Sequence, residues 1–354
     1  MGHPAAGGAE AVTHEVLRRF VAQGHDVTAF GGAWPGASGE DELDGVRILR
    51  DGTQTTVHAK AWRRFRRRLD SYDRVIDQIN TIPFMTPLYV PADRRFFFIH
   101  QLAREYWWRE TRGGMRLLAP VGYALEPLYL RIYRDTTGLT VSDSTRRDLA
   151  RLGVRDVHVV PQAISTEALE ELPPKPRGPL RLLVAGRLTP AKFIEEGISA
   201  FAEIRAGGTG AVLDVIGGGD DAYRSRLERQ VAEQGLDDVR FHGHVSEDEK
   251  YELMRAAHVQ LFTSHREGWG LVVSEAAAMG TPSVGYDVPG VRDSIADASL
   301  LAPCGNYRAL ARVAKSLWAD SDRYKRVRQA AWARAQTMNG DATAAAFADV
   351  LRLD

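Results

Sequence analysis

The chain has 354 residues, 44% of them hydrophobic and 26% charged, the proportions of a soluble globular protein too large for one core. Its 46 Lys and Arg balance 46 Asp and Glu, which removes the bulk electrostatic case for nucleic-acid binding. A single cysteine, Cys304, excludes an internal disulfide, and with neither a bilayer-spanning run nor a signal peptide the expected compartment is the cytoplasm.

The sequence opens MGHPAAGGAE and passes straight into a helical pattern, with Val12, Val16, Leu17, Phe20 and Val21 on one face and Gly24 as its stop. A strand is predicted at 26–30. Gly7 and Gly8, ahead of the helix, suit an anion cradle because glycine lets backbone approach a phosphate closely. As a bare pair they read first as a loose tail. Further strands are predicted at 46–49, 74–79, 95–100, 139–142 and 157–160, with helical segments between several of them. That alternation is the pattern of a doubly wound α/β sheet, which binds ligands beyond the carboxyl ends of its strands. His100 closes one of these strands and reads equally as a packing or a functional residue.

Two stretches combine arginine with aromatic rings: AWRRFRRRLDSYDR at 61–74, and Tyr106-Trp107-Trp108 followed by Arg109 and Arg112. Such runs are ordinarily solvated helix faces. The sharper reading is peripheral contact with an anionic membrane, at the inner face for a cytoplasmic protein.

Four prolines at 172–179 cannot continue helix or sheet. The expected organisation is therefore a first domain at 1–172, a linker at 173–179 and a second domain at 180–341. A strand at 181–185 leads into GRLTPAK, with Arg187 and Lys192, and then a helix through 204. The basic residues are nearly all arginine, so each of the lysines, Lys60, Lys175, Lys192, Lys250, Lys315 and Lys325, carries a little more interest than usual. After a strand at 212–216, GGGDDA satisfies the G-x-G-x-x-A fingerprint of a nicotinamide-dependent oxidoreductase. That reading needs an acid closing the next strand, yet 239–243 ends Phe-His-Gly. Asp320-Ser321-Asp322 matches a metal-binding D-x-D in letters alone and reads as helix capping. No metal cluster is expected.

The most informative stretch is HVQLFTSHREGWGLVVSEAAAMGTPSVGY at 258–286. It reads as strand, glycine turn, helix and strand, a geometry that aims free backbone amides at an anion. Glu267 lies in the turn and Glu275 in the helix. Two acids alone would read as a cap and a salt bridge. Glu267, seven residues and Glu275, with Gly-Trp-Gly between and Ala-Met-Gly-Thr-Pro after, closely resembles the E-x7-E signature of retaining GT-B glycosyltransferases of family 4. GGAE near the start and GRLTPAK resemble further segments of that family.

The resemblance implies two Rossmann-like, doubly wound domains facing a cleft, with the C-terminal helix at 342–354 packed on the first. A hydrophobic first strand normally precedes the glycine turn, and residues 1–6 are too short and polar for one. The expectation is a first domain without its opening strand, from a truncated start. The implied reaction moves a sugar from a nucleotide-diphosphate sugar to an acceptor hydroxyl with retention, without metal, by attack from the leaving group's own face. The donor is a substrate, so no cofactor is implied. Arg187 and Lys192 would hold the diphosphate, Glu267 the sugar hydroxyls and Glu275 the ribose. His100 would contact the donor sugar. Gly7, Gly8, Gly217, Val245, Gly268, Trp269, Gly270, Leu271 and Val272 would border the donor. Asp77, Gln78, Asn80, Glu105 and Trp107 are the candidates on the acceptor side, where a glycan, a lipid-linked or a small-molecule hydroxyl would enter. Two other readings remain: a donor-binding protein that no longer turns over, and, remotely, the oxidoreductase.

Overall fold

The computed structural model describes residues 7–67, 71–104, 107 and 119–353. The chain forms two compact units, Met1–Ala163 with Met338–Asp354, and Ile164–Thr337.

The first unit begins with helix α1 (Gly8–Ala22), which buries Val12, Val16 and Phe20, the apolar positions of the sequence pattern. Strands β1 (Thr28–Gly31), β2 (Glu40–Leu43) and β3 (Val46–Arg50) make one sheet in the order β1-β3-β2. β2 pairs antiparallel with β3 and is exposed at every residue, so its EDEL sequence carries no apolar signal of a strand. Helix α2 (Val57–Phe65) leads to β4 (Val75–Ile79) and β5 (Arg95–Ile99). Helix α3 (Ala119–Arg131), β6 (Thr137–Thr140), helix α4 (Asp143–Arg151) and β7 (Val157–Val159) follow. Strands β4-β5-β6-β7 form a second, parallel sheet in sequence order. Among the described residues no strand joins β1 to β4, so this unit carries two sheets where a doubly wound domain has one. Phe97, Phe98 and Ile99 on β5 are at most 2% exposed, as a parallel strand covered on both faces requires.

The C-terminal helix, Gly340–Leu351, belongs to this first unit. Arg19 of α1 donates to the Asp341 carboxylate at 2.6 Å, and Phe347 meets Phe98 edge-to-face with centroids 4.9 Å apart.

The second unit is one six-stranded parallel sheet. Its strands are β8 (Leu180–Ala185), β9 (Ala211–Ile216), β10 (Val239–Gly243), β11 (Val259–Phe262), β12 (Ser283–Tyr286) and β13 (Leu301–Ala302). The connecting helices are α5 (Ile194–Ala206), α6 (Asp221–Glu233), α7 (Glu247–Ala256), α8 (Leu271–Ala278), α9 (Val291–Ile295), α10 (Tyr307–Ala319) and α11 (Ser321–Gln336). Strand order is β10-β9-β8-β11-β12-β13, so the winding reverses between β8 and β11. Leu182, Val184, Leu213, Val215, Leu261 and Val284 are at most 3% exposed and form its core. Each such side chain contributes roughly 1.5–3 kcal/mol on leaving water.

The proline segment 173–179 is not a spacer between the units but a strap on the second one. Arg328 donates to the Pro173 carbonyl at 2.6 Å and to the Gly280 carbonyl at 2.8 Å. Lys175 donates to the Arg255 carbonyl at 2.9 Å and to the Thr281 hydroxyl. Upstream, Leu169 donates its backbone N–H to the Ala278 carbonyl, and the Trp332 indole donates to the Leu169 carbonyl. Prolines cannot join a ladder, but their carbonyls still accept, and basic side chains of the unit use them.

Candidate functional site

The reversal point of a doubly wound sheet leaves an open crevice at the strand ends, and the β8 and β11 ends are that point here. Arg187 follows β8 and Lys192 ends the 3-10 turn Pro190–Lys192, while Glu267 lies just beyond β11. Lys192 and Glu267 form an ion pair through Nζ and Oε1. Arg187 is exposed, and its side chain makes no hydrogen bond or ion pair among the described residues.

Lys192 is held by its neighbours. Thr263, at the end of β11, donates its hydroxyl to the Lys192 carbonyl at 3.0 Å. Phe193 takes a left-handed backbone, φ 50°, and stacks its ring on the His265 imidazole. His265 Nε2 in turn meets the Glu196 carboxylate at 3.2 Å.

Two glycine-rich loops pack against this region. The Gly186 amide donates to the Ile216 carbonyl and the Leu188 amide to the Gly218 carbonyl, continuing the β8–β9 pairing past the strands. A Cβ on Gly217 would collide with the Gly186 carbonyl oxygen, and one on Gly219 with that of Leu188. The G-x-G-x-x-A match thus arises from loop-on-loop packing, which accounts for these glycines without a dinucleotide. On the other side, Gly290 at φ 81° lies against the Glu267 carbonyl, and Glu267 donates its amide to Pro289 at 3.2 Å.

Helix α8 starts after Gly270, whose φ of 86° turns the chain over the Phe262 ring. Its first two amides, Leu271 and Val272, have no intrahelical partner by construction, whereas the Val273 amide donates to the Gly270 carbonyl at 2.9 Å. Gly268 is buried and Trp269 half-buried, with the Trp269 indole donating to the Ser274 hydroxyl at 3.0 Å. Glu275 is 8% exposed. Ser165 donates to its Oε1 at 2.9 Å, and the Lys250 ammonium lies 3.3 Å from Oε2. Burial lowers the Lys250 pKa, but Glu275 and Glu247 outweigh it and the net shift is upward. Ser165 and Lys250 are partners that the motif did not disclose. Val245 is half-buried on the same unit.

In the first unit, Gly7 caps α1 and donates its amide to the Glu10 carboxylate at 3.0 Å, so the expected cradle of Gly7 and Gly8 already faces an acid. His100 ends β5 against Phe98, and its Nε2 is buried without a hydrogen-bond partner among the described residues. Burial pushes its pKa down to about 4, with Glu10 opposing weakly, so the ring is neutral near pH 7.

Asp77 departs from its expected acceptor role. It is 1% exposed, accepts from the Phe84 amide at 3.1 Å and the Thr86 amide at 3.3 Å, and receives the Tyr133 hydroxyl. Burial raises its pKa against these bonds. It organises the loop after β4. Trp107 packs on Gly122 of α3, while Gln78 is half-buried and Asn80 exposed. Glu105, Tyr106, Trp108, Arg109 and Arg112 lie outside the described residues, as do residues 1–6 and 68–70. Asp320 caps α11, accepting from the Arg323 amide at 2.9 Å. Among the described residues no group of three His, Cys, Asp or Glu could hold a metal ion, and no helix is long and apolar enough to cross a membrane.

A sequence profile of the Glycosyltransferase Family 4 matches residues 6–168, and one of Glycosyl transferases group 1 matches residues 165–334. The chain is 32% identical over 222 residues to a 2-deoxystreptamine glucosyltransferase of Streptomyces kanamyceticus, covering 58% of this chain and 56% of that one. It spans about half the length or less of the curated relatives it matches, 41% for a glycogen synthase of Mycobacterium tuberculosis at 29% identity. Among solved structures it is similar to a sucrose-phosphate synthase from Thermosynechococcus elongatus. The TM-score is 0.76 at 21% identity, over 99% of this chain and 94% of that one. It is also similar to Anabaena Alr3699/HepE in complex with UDP-glucose, with TM-score 0.71 at 16% identity, over 99% and 97% of the two chains.

Proposed function

This chain belongs to the GT-B glycosyltransferases of family 4, and from that premise we propose a retaining, metal-independent transfer of a hexose from a nucleotide-diphosphate sugar to an acceptor hydroxyl. The observation that carries the reading is the Lys192–Glu267 pair, held beyond the reversal point of the sheet with the exposed Arg187 on the neighbouring loop. A nucleotide sugar bears negative charge on its diphosphate and hydroxyls on its sugar. A cation paired with a carboxylate suits both.

In the proposed reaction the bond from the anomeric carbon to the phosphate oxygen breaks, and a bond from that carbon to the acceptor oxygen forms on the same face. The acceptor's proton passes to the departing phosphate oxygen. Arg187, Lys192 and the first-turn amides of α8 would meet the charge that develops there, the largest single contribution in sites of this kind. Glu267 would grip sugar hydroxyls and Glu275 the ribose, with Gly217 and Val245 bordering the nucleotide. His100 is proposed to act in the transfer step as an uncharged imidazole. A nucleotide sugar and a hydroxyl compound are the proposed partners; the UDP-glucose bound by the Anabaena protein makes UDP-glucose the first donor to try.

The test is incubation with UDP-, GDP- and ADP-sugars, following nucleotide release and the anomeric configuration of the product by NMR. Release that survives EDTA, with configuration kept, is expected. Inverted product would overturn the retaining reading, and loss of activity in EDTA restored by a divalent cation the metal-independent one. Donor binding without release would favour a binding protein that no longer turns over.

A further inference from the structure

Helix α3 buries an acid and exposes apolar side chains. Its one carboxylate, Glu126, is 2% exposed and accepts the backbone amides of Ala103 and Arg104. Leu130 packs into the core at 1% exposure, but other aliphatic side chains face outward: Val121 is 52% exposed, Leu125 48% and Leu128 56%, with Ile132 just past the helix at 37%. Positions 121, 125, 128 and 132 recur at the spacing of a single stripe. A contiguous apolar stripe on a soluble surface marks an interaction site.

The stripe continues onto a basic surface. The Tyr129 hydroxyl of α3 donates to the Thr81 carbonyl at 2.7 Å, and His58 Nε2 of α2 donates to the next carbonyl, Ile82, at 3.1 Å. The two helices therefore flank Ile82, itself 48% exposed. Helix α2 carries an exposed Trp62 with the Arg66 guanidinium over its ring, and Arg63 and Arg67 are exposed beside it. Neither α2 nor the outer face of α3 bears an acidic side chain.

We propose that this face docks on an anionic lipid bilayer, with the α3 stripe and Trp62 entering the interface and the arginines meeting the headgroups. Aliphatic and indole side chains bordered by arginine are the combination that anchors a peripheral protein. A second copy of the chain fits less well, because a two-fold contact here sets each copy's arginines against their equivalents. This inference goes beyond the transfer reaction and does not depend on it.

Flotation of the full chain with phosphatidylcholine vesicles, with and without about 30% phosphatidylglycerol, tests it. The anionic vesicles should retain at least ~10-fold more protein, and about 0.5 M salt should weaken retention, because screening shortens the reach of the arginines. Leu125→Asn with Leu128→Asn should cut retention ~10-fold at an unchanged melting temperature, since both side chains are exposed. Arg63→Gln with Arg67→Gln should lower it on anionic vesicles alone. Absence of flotation, or equal flotation of the leucine double variant, overturns the proposal. So does a dimer in light scattering that the leucine substitutions dissolve, with no lipid binding; that result gives the face to a second copy.

Discussion

The imidazole of His265 lies flat on the ring of Phe193, centroids 3.5 Å apart and planes within 3° of parallel. Phe193 holds a left-handed backbone directly after Lys192, and His265 is two residues before Glu267. The stack therefore ties together the two segments that bring Lys192 and Glu267 into contact. His265→Ala should lower stability by ~1 kcal/mol, the scale of one aromatic pair. It should also raise the donor KM by roughly threefold or more, because a looser Lys192 is a misplaced one. Chemical denaturation and steady-state kinetics read the two effects. Unchanged KM would detach the stack from donor binding.

The two glutamates of the motif sit in different surroundings, and their substitutions should separate. Glu275 is enclosed by Ser165 and Lys250, whereas Glu267 pairs with Lys192. Glu275→Gln should weaken nucleotide binding about tenfold, the effect of one charge-assisted hydrogen bond. Glu267→Ala should cut kcat by ~10²-fold or more with nucleotide affinity nearly kept. Calorimetric titration with UDP beside turnover measurements makes the comparison. Matching losses of affinity in both variants would contradict the division of roles.

Gly290→Ala tests how tightly the loop after β12 backs Glu267. The added methyl would meet the carbonyl of Glu267 at a backbone φ of 81°, so strain and collision add. A loss of ~2–4 kcal/mol is expected, with activity falling further than stability alone explains. Urea unfolding followed by fluorescence gives the first number. A variant as stable as wild type would mean the loop yields freely.

Lys175 makes stability depend on pH in an unusual direction. Burial, with Arg328 and Arg255 adding repulsion, pulls its ammonium down to about 6 from 10.5. Between those values the unfolded chain holds a proton that the folded chain has released, so this group makes folding more favourable as pH rises. The melting temperature should climb from about pH 7 to about pH 9. Lys175→Met should flatten that slope and raise stability at neutral pH. His258, Arg181, Arg255 and Arg328 surround the same strap, so the comparison must be made against wild type at each pH. An identical slope in the variant would assign it to another group.

Most strands were legible because parallel strands buried on both faces become unbroken apolar runs. RLLVA at 181–185 and FFFI at 96–99 could hardly be anything else. EDEL at 40–43 was not legible: an exposed edge strand needs only backbone pairing, and its side chains record nothing. The division between the units was misplaced at the prolines because proline announces the end of regular structure, not the absence of packing. Arg187, Lys192, Glu267 and Glu275 stood out as candidates since each lies in a short motif beside a strand end. Ser165 and Lys250 come to Glu275 from distant positions, and the scarcity of lysine in an arginine-rich chain was the only available hint. Asp77 is the reverse case, for a carboxylate near a strand end looks open to an acceptor until Tyr133, Phe84 and Thr86 are seen to enclose it.

Glu126 joins two surfaces that otherwise have nothing in common. From within α3 it grips the amides three and four residues beyond His100, while Leu125 and Leu128 of the same helix look outward. The outer side of that helix is therefore tied, through a single carboxylate, to the chain segment that follows the imidazole.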